Sequence, residues 1–522
     1  MCVRVQYQDE LWEMASGTLV AIVLSVASGV CLWMSFPPVG WWPLAWVAFV
    51  PMAMAQYVFL PEFLAFLAPL ITFRVFIAGY FRDVIRASSA DCSRPVLLAL
   101  AGVFIGTVCQ RSFHERTRYK WFLVEPVCFW VAFEWVRDEL RSVGTWASLA
   151  YSQYEVKPVV RAASVVGTFG VSATILLANY GLAWVIIAVR KGFSRKEIVQ
   201  KVLPAAAVLI CLFAAGWHTA SLRQSGPGEG FPGGGSVSVK VAACQPGEKY
   251  IARADQGVPL YEEMVAKASQ EGASLFVLPE GCFSEDPRNE PVRSSLISLA
   301  RRYRIAIIAP FIQDTPHGTI NEAVFITSDG DVAGSSPKNH PLSVYGETSL
   351  TQGSYRVYDV PWGKVGIMIC FDLDFTGVAK TLAEMGANLI AVPSSDWQSV
   401  ASKHYTHAVF RAAENGVAIV KADAWYASCA VSWDGTIEAK TVSLIRRQEL
   451  LITSVVTRTG PPLAGAKLGY WAGLVCLAAT ISFKFYDFVT LSQRLFSRRA
   501  RQQAGLFGQK SGGNRGTPPE VA

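Results

Sequence analysis

The chain has 522 residues, of which 52% are hydrophobic and only 17% are charged, and its mean hydropathy is +0.30. This balance excludes an ordinary soluble protein and predicts a protein that spans a membrane. The net charge is +7, but the basic residues lie between apolar stretches, which favours membrane topology over nucleic-acid binding. The 11 cysteines show neither zinc-ligand spacing nor a disulfide framework, so we expect no metal and no cofactor.

Eight apolar stretches are candidates for membrane helices. At about 1.5 Å per helical residue, each crosses or nearly crosses a hydrocarbon core about 30 Å thick, although the fourth and fifth are short. Seven lie in a predicted transmembrane domain, residues 1–223, and the eighth lies within 466–490. The stretches are 17–36, 41–60, 62–81, 95–110, 121–137, 164–189, 203–219 and 468–489.

A soluble domain interrupts the apolar stretches. Residues 224–236 are rich in Gly and Pro, which is typical of a flexible linker. After them, short β-rich runs alternate with amphipathic helical stretches, which predicts an α/β domain over 237–465. Residues 491–522 are basic and then rich in Gly, Gln and Ser, which predicts a disordered tail.

The distribution of Lys and Arg predicts the orientation in the membrane. Basic clusters lie at 111–120, at 190–201 and in the tail, and with eight spans all three fall on one face, which should be cytoplasmic. The loop with Arg82, Arg86 and Arg94 falls on the other face, so its positive charge argues modestly against this orientation. We therefore expect the α/β domain outside the cytoplasm, where chemistry cannot draw on cytosolic ATP.

Three segments of the α/β domain supply the residue types of an acyl-transfer site. The runs SLFVLPE and KVGIMIC end on Glu280 and Cys370, and a polar loop between them contains Lys338 and Glu347. Active sites of α/β sheets collect at such strand ends. A carboxylate can take the proton of a thiol, and an ammonium can stabilise the thiolate and a tetrahedral oxyanion. Each residue alone has an ordinary structural interpretation, so it is their joint occurrence that favours a catalytic site.

The order of these residues resembles the nitrilase, or carbon–nitrogen hydrolase, superfamily. Several helices before the domain and one after it look like the apolipoprotein N-acyltransferase family within that superfamily. Residues 36–52, 133–153 and 394–416 are similar to further segments of this family. The resemblance implies an α-helical multi-span membrane domain plus an α/β nitrilase-like α-β-β-α sandwich.

The resemblance also implies roles for the candidate residues. Glu280 would be the general base, Lys338 the stabilising cation, Cys370 the acylated nucleophile and Glu347 a further essential carboxylate. The implied reaction moves an acyl chain from a phospholipid to the cysteine as a thioester, and then to the N-terminal amine of a diacylglyceryl-cysteine lipoprotein. The implied location is the bacterial inner membrane, with the catalytic domain outside and the tail in the cytoplasm.

The sequence departs from the family in the catalytic segments. It has Cys-Phe-Asp at 370–372 where the family usually has Cys-Tyr-Glu, and Pro337 where an Asp usually precedes the lysine. These differences fit altered lipid preference or low activity. Phe371 and Trp397 are candidate substrate contacts. Three tryptophans either line an acyl groove or are ordinary core aromatics: Trp362, Trp397 and Trp425.

Two other functions remain open at this stage. One is a membrane-tethered amidase or nitrilase that uses the same triad, Glu280, Lys338 and Cys370, with water as the acyl acceptor. The other is a catalytically inactive membrane scaffold or transporter, although the spans contain few charges and no inverted repeat is visible.

Three further predictions concern residues outside the triad. Arg411 and Glu414 have helical i,i+3 spacing and should form an ion pair. His404 should pack or cap a helix rather than catalyse. Cys282 lies two residues after Glu280 but does not end an apolar strand, so we do not expect it to be the nucleophile.

Overall fold

The computed structural model describes residues 2–83, 93–140, 143–224, 235–249, 257–342 and 346–510. Residues 225–234 of the predicted linker, Arg86 and the last part of the predicted tail, 511–522, lie outside these ranges.

The N-terminal half is helical because its long apolar runs lack the alternation that strands need. Its helices are α1 (Cys2–Ser35), α2 (Phe49–Met54), α3 (Leu67–Tyr80), α4 (Ser93–Thr107), α5 (Gln110–Arg116), α6 (Glu125–Glu139), α7 (Lys157–Arg190) and α8 (Arg195–Gln224).

Among the described residues, six helical segments are long and apolar enough to cross a membrane: Ala15–Ser35, Trp42–Phe59, Glu62–Tyr80, Lys157–Arg190, Arg195–His218 and Gly465–Gln493. Two of the eight predicted stretches are not among these six, and the number of membrane crossings stays a prediction. The other two stretches fall on α4 and α6, which have 15 residues each and so reach only about 22 Å. Charged residues limit α6 at both ends, since it begins on Glu125 and its last turn contains Arg137 and Glu139.

The described residues of the C-terminal half form 12 strands in two six-stranded sheets. The first sheet has the order β12-β1-β2-β3-β4-β5 and the second has the order β11-β10-β9-β8-β7-β6. The strands are β1 (Ser236–Gln245), β2 (Leu275–Val277), β3 (Ala306–Thr315), β4 (Gly318–Ile326), β5 (Val332–Pro337), β6 (Val357–Val360), β7 (Gly363–Ile367), β8 (Leu389–Ser394), β9 (Ala418–Asp423), β10 (Ala427–Val431), β11 (Ile437–Val442) and β12 (Glu449–Arg458).

The two sheets pack face to face, with helices on both outer faces. Apolar side chains of the first sheet, such as Ile308, share one buried cluster with those of the second, such as Val365. Helices α9 (Gly257–Gln270) and α10 (Val292–Tyr303) cover the first sheet, and α11 (Thr376–Glu384) and α12 (Gln398–Asn415) cover the second. The prediction of a helical membrane domain plus an α-β-β-α sandwich is confirmed.

The last helix, α13, runs from Gly465 to Lys510. The tail predicted to be disordered from residue 491 is therefore helical as far as Lys510. Its sequence has few helix breakers before Gly505, so the apolar span continues as a basic helix.

The membrane half and the α/β half are joined at a point where α7 is interrupted. Gly167 has φ of 67° inside this helix, which leaves the next turn with backbone N–H groups that lack helical partners. The carboxylate of Glu414, near the end of α12, accepts hydrogen bonds from the backbone N–H of Thr168 at 3.0 Å and from its hydroxyl at 2.7 Å. The predicted ion pair is confirmed, since Arg411 Nη1 lies 2.5 Å from Glu414 Oε1. The pair thus docks the α/β domain onto a membrane helix.

Candidate active site

The candidate residues meet where strands of the two sheets end at the same edge. Glu280 follows β2 and Lys338 follows β5, both in the first sheet. Cys370 follows β7 in the second sheet. Strand β2 is parallel to both of its neighbours, and β7 is parallel to β8 and antiparallel to β6. The carboxyl ends of such parallel strands form the edge at which polar groups can gather without interrupting the hydrogen-bonded ladder.

Lys338 lies between two carboxylates. Its Nζ is 2.9 Å from Glu280 Oε1 and 2.8 Å from Glu347 Oε2. Asn321 on β4 donates from Nδ2 to both carboxylates, at 2.9 Å to Glu280 and 3.0 Å to Glu347. We call these four residues the Glu280 cluster. Three predicted site residues are therefore brought together, with Asn321 as a fourth member that the sequence did not reveal.

Charge determines the protonation state of Lys338. Burial alone would lower the pKa of its ammonium, but Glu280, Cys370 and Glu347 raise it above the ordinary value of a lysine. Lys338 therefore stays cationic at neutral pH and cannot accept a proton. The Glu347 side chain is 23% exposed, whereas Lys338 is almost fully buried, so the cluster opens on the Glu347 side.

Cys370 lies on a strained turn. Its φ is 47°, in the left-handed region that residues with a Cβ rarely adopt. Such strain persists where the surrounding structure enforces it and is concentrated at functional sites. Burial and the Glu280 carboxylate raise the pKa of the thiol well above its usual range, while Lys338 lowers it. The thiol is therefore protonated at rest and needs a base when it reacts.

Asp372 fastens the cysteine turn to the lysine loop. Its carboxylate accepts hydrogen bonds from the backbone N–H groups of Ile369 at 3.0 Å, Asn339 at 3.0 Å and His340 at 2.7 Å. Asp372 is fully buried, so it is a positioning residue for the segments that carry Lys338 and Cys370. Asp372, which stands where the family usually has Glu, therefore has a defined structural role.

A second polar cluster lies near Cys370. Asp374 Oδ1 is 2.6 Å from His407 Nδ1 and 3.5 Å from His404 Nε2, and His404 Nδ1 is 2.7 Å from Asp396. Lys421 Nζ lies 2.8 Å from Asp396 Oδ2. We call these five buried residues the Asp374 cluster. His404 therefore bridges two carboxylates, whereas the sequence predicted only a packing or capping role.

The Asp374 cluster continues into the membrane half. Trp146, between α6 and α7, donates from Nε1 to Asp374 Oδ2 at 2.7 Å. The backbone N–H of Thr145 donates to the backbone carbonyl of Asp374 at 2.9 Å. Tyr151 stacks on the His407 ring with 4.1 Å between ring centroids. The segment that precedes α7 thus packs directly on the turn that carries the candidate nucleophile.

The other sequence candidates lie at different depths. Phe371 is buried and packs edge to face on Phe375 at 5.1 Å, whereas Trp397 is 40% exposed at the start of α12. The Arg446 guanidinium lies 4.1 Å from the centroid of the Trp425 ring. Cys282 is fully buried, with its sulfur 3.3 Å from the Pro310 carbonyl. Substrate contact by Phe371 or Trp397 stays a prediction.

Sequence reasoning missed Asn321 and most of the Asp374 cluster. Two signals were present: Asp374 follows Cys370 by four residues, and His404 and His407 have the i,i+3 spacing that puts both on one helix face. Their common partner could not be seen, because Asp374 and the histidines are distant in sequence.

Two family models match the chain. The model described as carbon–nitrogen hydrolase matches residues 240–456. The model described as the apolipoprotein N-acyltransferase N-terminal domain matches residues 28–181. The matches fall on the α/β half and the membrane half, respectively.

Curated relatives agree with both matches. An apolipoprotein N-acyltransferase of Geobacter metallireducens is 27% identical over 448 residues, which cover 77% of this chain and 83% of the relative. A nitrilase of Pyrococcus abyssi is 31% identical over 205 residues, which cover 35% of this chain and 74% of the relative. A solved structure of an amidase of the nitrilase superfamily from Nesterenkonia is 21% identical. The match covers 42% of this chain and 90% of the amidase chain, with a TM-score of 0.35.

The two halves each match a family model, and the match to the Geobacter metallireducens apolipoprotein N-acyltransferase covers 77% of this chain. The chain therefore belongs to the apolipoprotein N-acyltransferases, a membrane-embedded family of the carbon–nitrogen hydrolase superfamily.

Proposed function

We propose that the protein N-acylates lipoproteins by way of a thioester on Cys370. The observation that carries this proposal is the placement of Lys338 between Glu280 and Glu347, at 2.9 and 2.8 Å, beside a cysteine on a strained turn. A thioester preserves the activation of the acyl group, so the transfer needs no nucleotide.

In the first step Glu280 takes the proton of the Cys370 thiol, and the sulfur attacks the ester carbonyl carbon of a phospholipid. Lys338 stabilises the tetrahedral oxyanion. The ester C–O bond then breaks, and Glu280 returns the proton to the departing oxygen of the lysophospholipid. Glu280 is the base in this scheme because Lys338 is held in its cationic form.

In the second step the N-terminal amine of a diacylglyceryl-cysteine lipoprotein attacks the thioester carbon. Glu280 accepts the amine proton, the C–S bond breaks, and the sulfur leaves as a thiolate that Glu280 reprotonates. The product is an amide. Glu347 keeps Lys338 aimed at the reacting carbonyl, since its Oε2 also accepts the backbone N–H of Leu342 at 2.7 Å.

The proposed orientation puts the α/β domain outside the cytoplasm. Glu115 Oε1 lies 3.3 Å from Lys191 Nζ, and Arg116 pairs with Asp487 on α13. These contacts bring the basic segments at 111–120 and 190–201 to one end of the helical bundle, beside the start of the basic tail, and so support a common cytoplasmic face. A membrane-impermeant thiol reagent should label a cysteine introduced at exposed Asp359 in intact cells, but not one introduced at Lys196.

Mass spectrometry of the protein isolated from membranes tests the proposal. We expect an acyl chain on the Cys370 peptide that hydroxylamine removes, and its absence from Cys370→Ala. Cys282→Ala is the matched control and should keep the modification. Release of free fatty acid or ammonia without an acylated amine would favour the amidase alternative, and full N-acylation by Cys370→Ala would favour an inactive domain with another function.

A further inference from the structure

Ser394 is a buried hydroxyl beside Cys370 that the scheme above does not use. It is the last residue of β8, next to β7 in the second sheet, and it is fully buried. Strand β7 pairs with β8 in the register Val365 with Leu389 through Ile367 with Ala391. The same register, continued beyond the paired residues, brings Ser394 opposite Cys370.

The Ser394 hydroxyl has two acceptors within reach. It donates to Asp396 Oδ1 at 2.7 Å. Its place opposite Cys370 in the continued register puts the Cys370 sulfur within reach as a second acceptor, and Ser394 lowers the pKa of the thiol. Because a hydroxyl has one proton and rotates freely, it can donate to only one of these acceptors at a time.

Asp396 can give up the Ser394 proton because cations compensate its charge. His404 Nδ1 lies 2.7 Å from Asp396 Oδ1, and Lys421 Nζ lies 2.8 Å from Oδ2. Although burial would raise the pKa of this carboxyl, His404 and Lys421 hold it below its usual range. Asp396 therefore remains a charged acceptor that retains two strong partners when the hydroxyl turns away.

We propose that Ser394 is a further catalytic residue, whose hydroxyl donates to Asp396 while the Cys370 sulfur is neutral and turns to donate to that sulfur whenever it is a thiolate. The proposal rests on the proposed function in taking Cys370 as the nucleophile. The thiolate forms twice in the cycle: after Glu280 removes the thiol proton, and when the amine expels the sulfur from the thioester. Ser394 stabilises both without transferring its own proton, so the proton balance of the two steps is unchanged.

The charged groups that act on the sulfur come from three different segments. Glu280 after β2 and Asp396 after β8 raise the pKa of the thiol, and Lys338 after β5 lowers it. A Ser394→Ala substitution leaves all three charges in place and removes one neutral donor. A change in thiolate formation in this variant can therefore be assigned to the hydroxyl.

The test is the alkylation rate of Cys370 by iodoacetamide in the full-length protein, followed on the Cys370 peptide by mass spectrometry. Rates are measured from about pH 7 to about pH 10, a range around the ordinary thiol pKa of about 8.5. Since only the thiolate reacts, loss of one hydrogen bond to it should slow alkylation about tenfold at each pH. Ser395→Ala is the matched control: its hydroxyl contacts Trp425 Nε1 at 3.2 Å, and its profile should be that of the wild type.

Alkylation of Ser394→Ala at the wild-type rate would overturn the proposal. Ser394→Thr keeps the hydroxyl and should recover most of the rate, and a Thr variant as slow as the Ala variant would also contradict it. Failure of the proposed function is a separate result, namely acyl transfer by Cys370→Ala, because the alkylation rate reports thiolate formation whether or not an acyl chain is transferred.

Discussion

The two polar clusters near Cys370 differ in the part of the molecule that holds them in place. The Glu280 cluster lies wholly within the α/β domain and opens through the partly exposed Glu347. The Asp374 cluster is fully enclosed, and one of its hydrogen bonds comes from Trp146 of the membrane half. The Glu280 cluster thus offers reactive groups that a substrate can reach, whereas the Asp374 cluster is tied to the membrane helices.

This difference suggests how a hydrolase fold can serve a membrane reaction. The Glu280 cluster supplies a base and a cation, which any acyl transfer from an ester or amide needs. The Asp374 cluster fixes the nucleophile turn relative to the membrane helices. We therefore expect substitutions in the first cluster to remove chemistry, and substitutions in the second to weaken the junction of the two halves.

The largest expected effect is that of Glu280→Gln. The amide keeps the shape of the side chain but cannot take a proton, so the rate of thioester formation should fall about 10²- to 10⁴-fold. Lys338 keeps Glu347 as a partner at 2.8 Å, so the protein should still fold. Acylation of Cys370 with labelled phospholipid measures the rate, with Glu285→Gln on the same loop as the control. Near-normal acylation by Glu280→Gln would assign the base to another group.

Asp374→Asn, in contrast to Glu280→Gln, should mainly lower the stability of the protein. The substitution removes the negative charge that accepts a hydrogen bond from Trp146 and lies beside His407, and weakening hydrogen bonds to a buried charged group should lower the free energy of unfolding by about 3 kcal/mol. Thermal unfolding of the purified full-length protein measures this loss. Asp359→Asn is the control, because that carboxylate is 88% exposed and loosely paired. An unchanged unfolding temperature for Asp374→Asn would mean that the cluster does not stabilise the junction.

The same contrast explains how far the sequence could predict the site. Glu280 and Cys370 were recognisable because each ends a continuous apolar run, and the ends of buried strands lie at one edge of a sheet. Asn321 sits inside β4 rather than at a strand end, so its position in the sequence gives no sign of a functional role. Asp374 could not be identified, because its function depends on Trp146, which lies 228 residues earlier in the chain. Sequence patterns therefore revealed the fold and the local elements, but not the contacts between the two halves.

The two histidines of the Asp374 cluster should respond to pH with opposite signs. Burial lowers the pKa of His404, but Asp396 and Asp374 raise it more, so the folded-state value is above the ordinary one. Its contribution to stability is then complete below about pH 6.5 and is lost as the pH rises through the folded-state pKa. The unfolding temperature of the wild type should exceed that of His404→Gln most at acidic pH, and the difference should narrow as the pH rises.

His407, three residues away on the same helix face, is the matched comparison. Burial lowers the pKa of His407 more than Asp374 raises it, so folding disfavours its protonation. The wild type should therefore lose stability relative to His407→Gln as the pH falls below about 6.5. Equal trends for the two variants would contradict the assignment of a cationic His404 beside a neutral His407.

The smallest expected effect is that of Trp146→Phe, which removes the hydrogen bond to Asp374 but keeps an aromatic ring near His407, at 5.0 Å between centroids. Loss of one hydrogen bond to a charged group should lower the free energy of unfolding by about 1.5 kcal/mol. Combined with Asp374→Asn, the loss should be less than the sum of the two single losses, because both remove the same bond. If the losses add, Trp146 does not act through Asp374, and the membrane half would hold the nucleophile turn through the backbone of Thr145 and the stacking of Tyr151.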